Sequence, residues 1–195
     1  MEQQKIALPW GNEQSTISLP EGWQPAATLQ PSPHVGKANP TDECRSSLKN
    51  PIGSSRLAEL VEPGMRIALV IDDISRPTPI ANILPAVLDE ILDGGGKIED
   101  ITLIAALGVH RSMTREEHIS RLGDAGLLDM LNHEDHDCDA PEKLVYLGTT
   151  SRGTPVYINK TVAEADFVVS IGCIEPHVIA SFGGGYKNIL PGVAG

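Results

Sequence analysis

The sequence predicts an α/β fold, a mostly parallel sheet with flanking helices, plus an N-terminal β-hairpin and linker. Three observations carry this. From Arg66 onward, apolar runs of strand length alternate with polar or Gly-rich turns and then with helix-period segments, the signature of α/β units. The runs are near-continuous Val, Ile and Leu, as expected of strands buried on both faces. The first forty residues lack this repeat and are rich in turn formers.

Taken in order, Lys5 to Leu8 and Ser15 to Leu19 read as a hairpin around Trp10-Gly11-Asn12, followed by the Pro-rich run PAATLQPSPHVGKANP that contains His34. Residues 1–40 are therefore expected to be hairpin and linker, and 41–195 an α/β domain. Two short helices are predicted at Thr41 to Lys49, with Thr41 as N-cap, and at Ser54 to Val61. The first α/β unit is the strand RIALVID, the turn DISRPTP and a helix over Ile80 to Leu92 that ends at Gly94-Gly95-Gly96, with Pro85 as a kink or first-turn marker. The second is ITLIAALG, the turn VHRSM and a helix opening at Thr114, where T-R-E-E reads as a capping box. KLVYLG and TPVYINK read as paired short strands, TVAEA as helical, and DFVVSIG as the third core strand. Right-handed crossovers place the ends of the three core strands on one edge, which makes the domain Rossmann-like. Ligands of such sheets bind outside the carboxyl ends of the strands.

At those ends stand Asp72, Asp73, Ser75 and Arg76, then His110 and Arg111, then Glu175 and His177. Each alone reads as a turn residue, but their coincidence points to a site. Histidine passes protons near neutral pH, and two of them could serve two faces of a substrate. Arg76, in the stiff SRPTP turn, is suited to clamp a carboxylate, and Asp73 to orient a histidine or that arginine. In SFGGGYKNILPG, Gly183, Gly184 and Gly185 let the backbone approach a ligand, and Lys187 follows. The spacing is not that of a phosphate-binding loop, and Gly94 to Gly96 ends a helix instead of opening one. The cluster from His133 to Asp139 is expected to be a solvated loop, and His118 to lie on the exposed side of its helix.

Composition bounds the rest. At 195 residues the chain accommodates one main domain, and 41% apolar with 21% charged residues suits a folded protein. A formal charge of −11 argues against nucleic acid as a partner. No apolar run is long enough for a bilayer, so no membrane association is expected, and the start lacks a signal peptide's apolar core. Cys44, Cys138 and Cys173 form no CxxC pair and read as free thiols in a reducing compartment, which makes the cytoplasm the expected location.

In this order, DDISRPTP, LGVHRSMTREE and IEPHVIASFGGGYKNILPG resemble the nickel-dependent lactate racemase family, with NPIGSSRLAEL and NKTVAEADFVVS in support. The resemblance implies that the chain is the N-terminal catalytic portion of a 2-hydroxy-acid racemase or epimerase acting by proton-coupled hydride transfer. It implies a nickel pincer nucleotide, of the pyridinium bisthiocarboxylic acid mononucleotide type, attached to Lys187 within reach of Gly183, Gly184 and Gly185. His110 and His177 match the family's alternating acid and base, while Asp73 and Arg76 match its substrate-binding pair. Cofactor-synthesis proteins are then implied partners, beside a small 2-hydroxy acid. Tyr186 departs from the Arg of several relatives. Family chains are much longer, and their nickel-binding histidine would lie beyond Gly195, so the chain is expected to be inactive alone. The alternative is a non-catalytic carboxylate-binding module that keeps the fold.

Overall fold

A computed structural model describes residues 4–11, 13–27, 29 and 39–195. The chain divides into two compact units, 1–36 and 37–195. In the first, β1 (Lys5–Trp10) and β2 (Glu13–Ser18) pair antiparallel in a hairpin that turns at Gly11 (φ 59°). The strands run further toward the turn than the apolar residues suggest, and their residues are almost all exposed. Asn12, His34 and most of the Pro-rich linker lie outside the described residues.

The second unit opens with α1 (Pro40–Lys49), capped by Asn39, whose side chain accepts the Thr41 N–H at 3.0 Å. Thr41 is thus not the N-cap; its hydroxyl donates instead to the carbonyl of Asn82. The segment expected to be helical over 54–61 contains only α2 (Leu57–Leu60), a single turn in which Arg56 and Glu59 cap each other. The Ser and Gly residues before it lack the apolar contacts that would carry the helix further.

Next come β3 (Ile67–Asp72), α3 (Ile80–Asp93), β4 (Ile101–Ala106), α4 (Arg115–Leu122), α5 (Ala125–Met130) and β5 (Asn132–Asp135). The antiparallel pair β6 (Leu144–Thr149) and β7 (Pro155–Asn159), α6 (Lys160–Glu164) and β8 (Phe167–Ile171) follow. The main sheet has order β5-β4-β3-β8, all parallel. The expected three-strand parallel core is thus present, extended by β5.

Burial explains the runs of Val and Ile. On one face of the sheet Ile67, Leu69 and Ile71 pack with Leu84, Val87 and Ile91 of α3. On the other, Ala68 and Val70 meet Ile158, Val162 and Val193. Every residue of β3 is buried, whereas β8, at the edge, half-buries alternate positions and fully buries only Ile171. Burying one such aliphatic side chain contributes about 1.5–3 kcal/mol. Pro85 sits inside α3 on its exposed side, so the helix keeps its buried face. Thr114 caps α4 as predicted, its hydroxyl accepting the Glu117 N–H while Glu117 accepts the Thr114 N–H.

Two elements depart from expectation. The polar stretch His133 to Asp135 is a strand, not a solvated loop, because its backbone extends the parallel ladder of β4. Its side chains meet neighbours: Asn159 donates to Glu134 at 2.9 Å, and His118 approaches Asp135 at 2.9 Å. His118 is accordingly buried instead of exposed, since α4 turns that face to β5. Among the described residues no helix is long and apolar enough to cross a membrane.

Candidate active site

The parallel sheet brings three loops to one rim: 73–79 after β3, 107–114 after β4 and 172–192 after β8. Because β3 lies between β4 and β8, its loop is flanked by the other two. A cavity of about 410 Å³ opens there, bordered by Asp73, Arg76, His110, His177, Gly184 and Lys187. Gly183 and Gly185 adjoin this rim without bordering the cavity.

On the β4 side, His110 Nδ1 hydrogen-bonds the Asp73 carboxylate, and the turn is fixed by the His110 N–H donating to Leu107 at 2.9 Å. The structure thus pairs Asp73 with the histidine, of the two partners open to it. Burial pushes the Asp73 carboxyl up, but hydrogen bonds from Ser75 and His110 outweigh it and hold the group below the usual 3.8. A carboxylate can only accept, so Nδ1 carries the proton and Nε2 of neutral His110 is a free base.

On the β8 side, a small antiparallel turn formed by β9 (Pro176–His177) and β10 (Ser181–Phe182) carries His177. Its Nδ1 accepts the backbone N–H groups of Ile179 at 3.2 Å and Ala180 at 3.1 Å. The proton of neutral His177 therefore sits on Nε2, which faces Arg76 Nη2 at 3.5 Å, donor toward donor. Desolvation, then the charges of Lys187 and Arg76, hold His177 below the usual 6.5, against the opposing charge of Glu175. An anion between Arg76 and His177 would accept from both.

Lys187 is half-buried at the cavity, and its amine has no hydrogen-bond or ion-pair partner among the described residues. The turn that presents it depends on two neighbours. Gly184 has φ 66°, and a Cβ there would lie 2.6 Å from the Cys173 carbonyl oxygen, so only glycine fits. Asn188 is buried, and its amide donates to the carbonyl of Ile171 at 3.0 Å and to the Ser170 hydroxyl at 3.2 Å, tying the lysine turn to the end of β8.

A family model described as the lactate racemase N-terminal domain matches residues 10–195. The chain belongs to this family. It is 34% identical over 97% of its length to a lactate racemase of Thermoanaerobacterium thermosaccharolyticum, and 32% identical over 97% to one of Lactiplantibacillus plantarum. In each case the match covers 44% of the relative, so the chain spans less than half the length of these proteins. The solved structure of the Thermoanaerobacterium lactate racemase apoprotein superposes with a TM-score of 0.82 at 34% identity, covering 98% of this chain and 44% of that one. A Thermotoga maritima crystal structure, with TM-score 0.61 at 23% identity over 79% of this chain and 38% of its own, shares the fold.

Within this lactate racemase N-terminal domain, the residue least visible in the sequence is Arg121 on α4. It is buried and pairs with the buried Asp72 carboxylate. It also donates to the carbonyls of Arg76 at 2.9 Å and Thr78 at 2.8 Å. Asp72 in turn accepts the Thr78 hydroxyl and, at 3.3 Å, the Cys173 N–H. One buried ion pair thus ties the loops after β3 and β8 to α4. An arginine in the last turn of an amphipathic helix reads as surface, so only its missing solvent exposure reveals the role. Asp135 is a second unseen support: it accepts the Met113 N–H at 2.8 Å and pairs with His118, bracing the loop that carries His110.

Proposed function

We propose that the chain is the N-terminal catalytic portion of a nickel-pincer-dependent 2-hydroxy-acid racemase or epimerase of the lactate type, acting by proton-coupled hydride transfer. The observation that carries this reading is the convergence on one cavity of His110, His177, Arg76 and Lys187, the last without a hydrogen-bond or ion-pair partner among the described residues. The residues fit the cofactor: a lysine amine free of competing partners opens on that cavity, and Gly184 lets the backbone come close. Lys187 would tether the group and Gly184 would border it, with Gly183 and Gly185 adjoining on either side. When bound, it would supply the hydride acceptor that no side chain provides.

The chain's own groups supply the rest. Arg76 holds the substrate carboxylate through its guanidinium. His110, with Nδ1 committed to Asp73, offers Nε2 to the hydroxyl proton. His177, on the opposite flank of the β3 loop, serves the other face. The buried Asp72–Arg121 pair keeps these groups in register.

Intact-mass spectrometry of the chain, and of a longer protein containing it, tests this after co-expression with cofactor-synthesis proteins. An adduct on Lys187 and inversion of a 2-hydroxy acid by the longer protein are the expected results. An unmodified lysine and no inversion across a panel of 2-hydroxy acids would overturn the proposal.

A further inference from the structure

The guanidinium assigned to the substrate carboxylate already has a carboxylate beside it. Arg76 Nη1 donates to Glu175 Oε1 at 3.2 Å, with the two side chains only 23% and 28% exposed. Both partners are held in place. Arg121 donates to the Arg76 carbonyl, and Pro77 follows immediately, so the arginine backbone cannot swing aside. The Glu175 carbonyl accepts the Gly183 N–H at 2.7 Å. A Cβ on Gly183 would lie 3.2 Å from Glu175 Cγ, so this glycine leaves the room in which the glutamate side chain lies.

Resting on the reading of Arg76 as the carboxylate anchor, we propose that Glu175 competes with the substrate carboxylate for Arg76 and so sets the affinity threshold of the site. A guanidinium forms its strongest pair when two parallel N–H groups meet one carboxylate. With Nη1 engaged by Glu175, an incoming carboxylate exchanges with it or settles for a partial contact. Binding then reflects a difference between two ion pairs, and a carboxylate alone gains little. The 2-hydroxyl supplies the additional contact, because His110 Nε2 is a free acceptor. Glu175 thereby weakens every carboxylate alike, so that at a given concentration the site is filled by ligands that add the hydroxyl contact to the carboxylate.

Competition has a signature that a structural role lacks: removing the competitor tightens every carboxylate by the same factor and leaves neutral ligands alone. The test is a set of NMR titrations of the 195-residue chain with L-lactate, propionate and the neutral lactamide at constant ionic strength. Glu175→Gln should bind lactate and propionate roughly two- to five-fold more tightly, with the ratio between them unchanged and lactamide unaffected. Glu175→Asp, which withdraws the charge by one methylene, should fall between. Arg76→Gln should lose carboxylate binding. If Arg76→Gln loses binding while Glu175→Gln binds no more tightly than the parent, the competition is overturned and the anchor reading stands. If Arg76→Gln binds as well as the parent, the anchor reading fails and the competition with it. Should the parent show no binding, a response in Glu175→Gln supports the proposal, and its absence there too overturns both.

Discussion

The two histidines of the site are built in opposite ways. His110 has its Nδ1 on a buried carboxylate that can only accept, so its Nε2 is left as a base. His177 has its Nδ1 on two backbone N–H groups that can only donate, so its Nε2 keeps the proton, beside Arg76. At His177 desolvation, and then the nearby cations, oppose a charged imidazole, whereas the His110 ring is bonded to the Asp73 carboxylate. A pair of equivalent catalysts would need equal surroundings; this chain supplies unequal ones. The difference teaches that the roles of the two groups are set by what lies behind each ring, and that His177 takes up a proton less readily than a free imidazole.

The comparison breaks most visibly at Asp73. Asp73→Asn removes the obligatory acceptor, frees the His110 tautomer and should lower inversion in the longer, cofactor-loaded protein by about 10³-fold or more, measured as kcat on a 2-hydroxy acid. Nitrogen-15 NMR of the ring would show the cause, with Nδ1 no longer uniformly protonated. An unchanged tautomer would sink the argument.

Next in size is the buried pair beneath the β3 and β8 loops. Arg121→Met leaves Asp72 buried without its counter-charge and should cost about 3–5 kcal/mol in denaturant unfolding. The accompanying fall in Tm should be roughly 10 °C or more. Arg115→Met, which removes an exposed pair with Asp129, should change stability by no more than about 1 kcal/mol.

Smaller effects appear as pH dependence. The Asp73 carboxyl is depressed in the folded state, so it adds stability above the usual value of 3.8, and that contribution is lost as pH falls through the lower folded value. Unfolding followed through this acid limb should be less steep in Asp73→Asn. His177 titrates below 6.5 in the folded chain, so its contribution is present above 6.5 and falls away as pH drops below it. Removing one cation by Lys187→Met should move the His177 midpoint upward in NMR titration; an unmoved midpoint would remove Lys187 from the account.

Much of this was legible in the residues. Runs such as Ile67 to Ile71 announce strands buried on two faces, and the polar residues after each run mark the rim. The Thr114 box is local chemistry and needs no tertiary partner. β5 was hidden because Asn132 to Asp135 lacks apolar residues; its strand character comes from the β4 backbone, not from its own side chains. His118 was misread for the same reason, since helical spacing does not reveal which polar face another element will cover.

The sequence by itself determined the parallel α/β core, the family motifs and the residue types gathered at the strand ends. Hydrophobic periodicity and turn chemistry act between near neighbours in the chain. Tertiary structure decided the Asp73–His110 pairing, the Glu175 contact with Arg76 and the Asp72–Arg121 bond beneath the β3 and β8 loops. These join residues 37, 99 and 49 positions apart, and only the strand order β5-β4-β3-β8 brings such distant groups within hydrogen-bond reach.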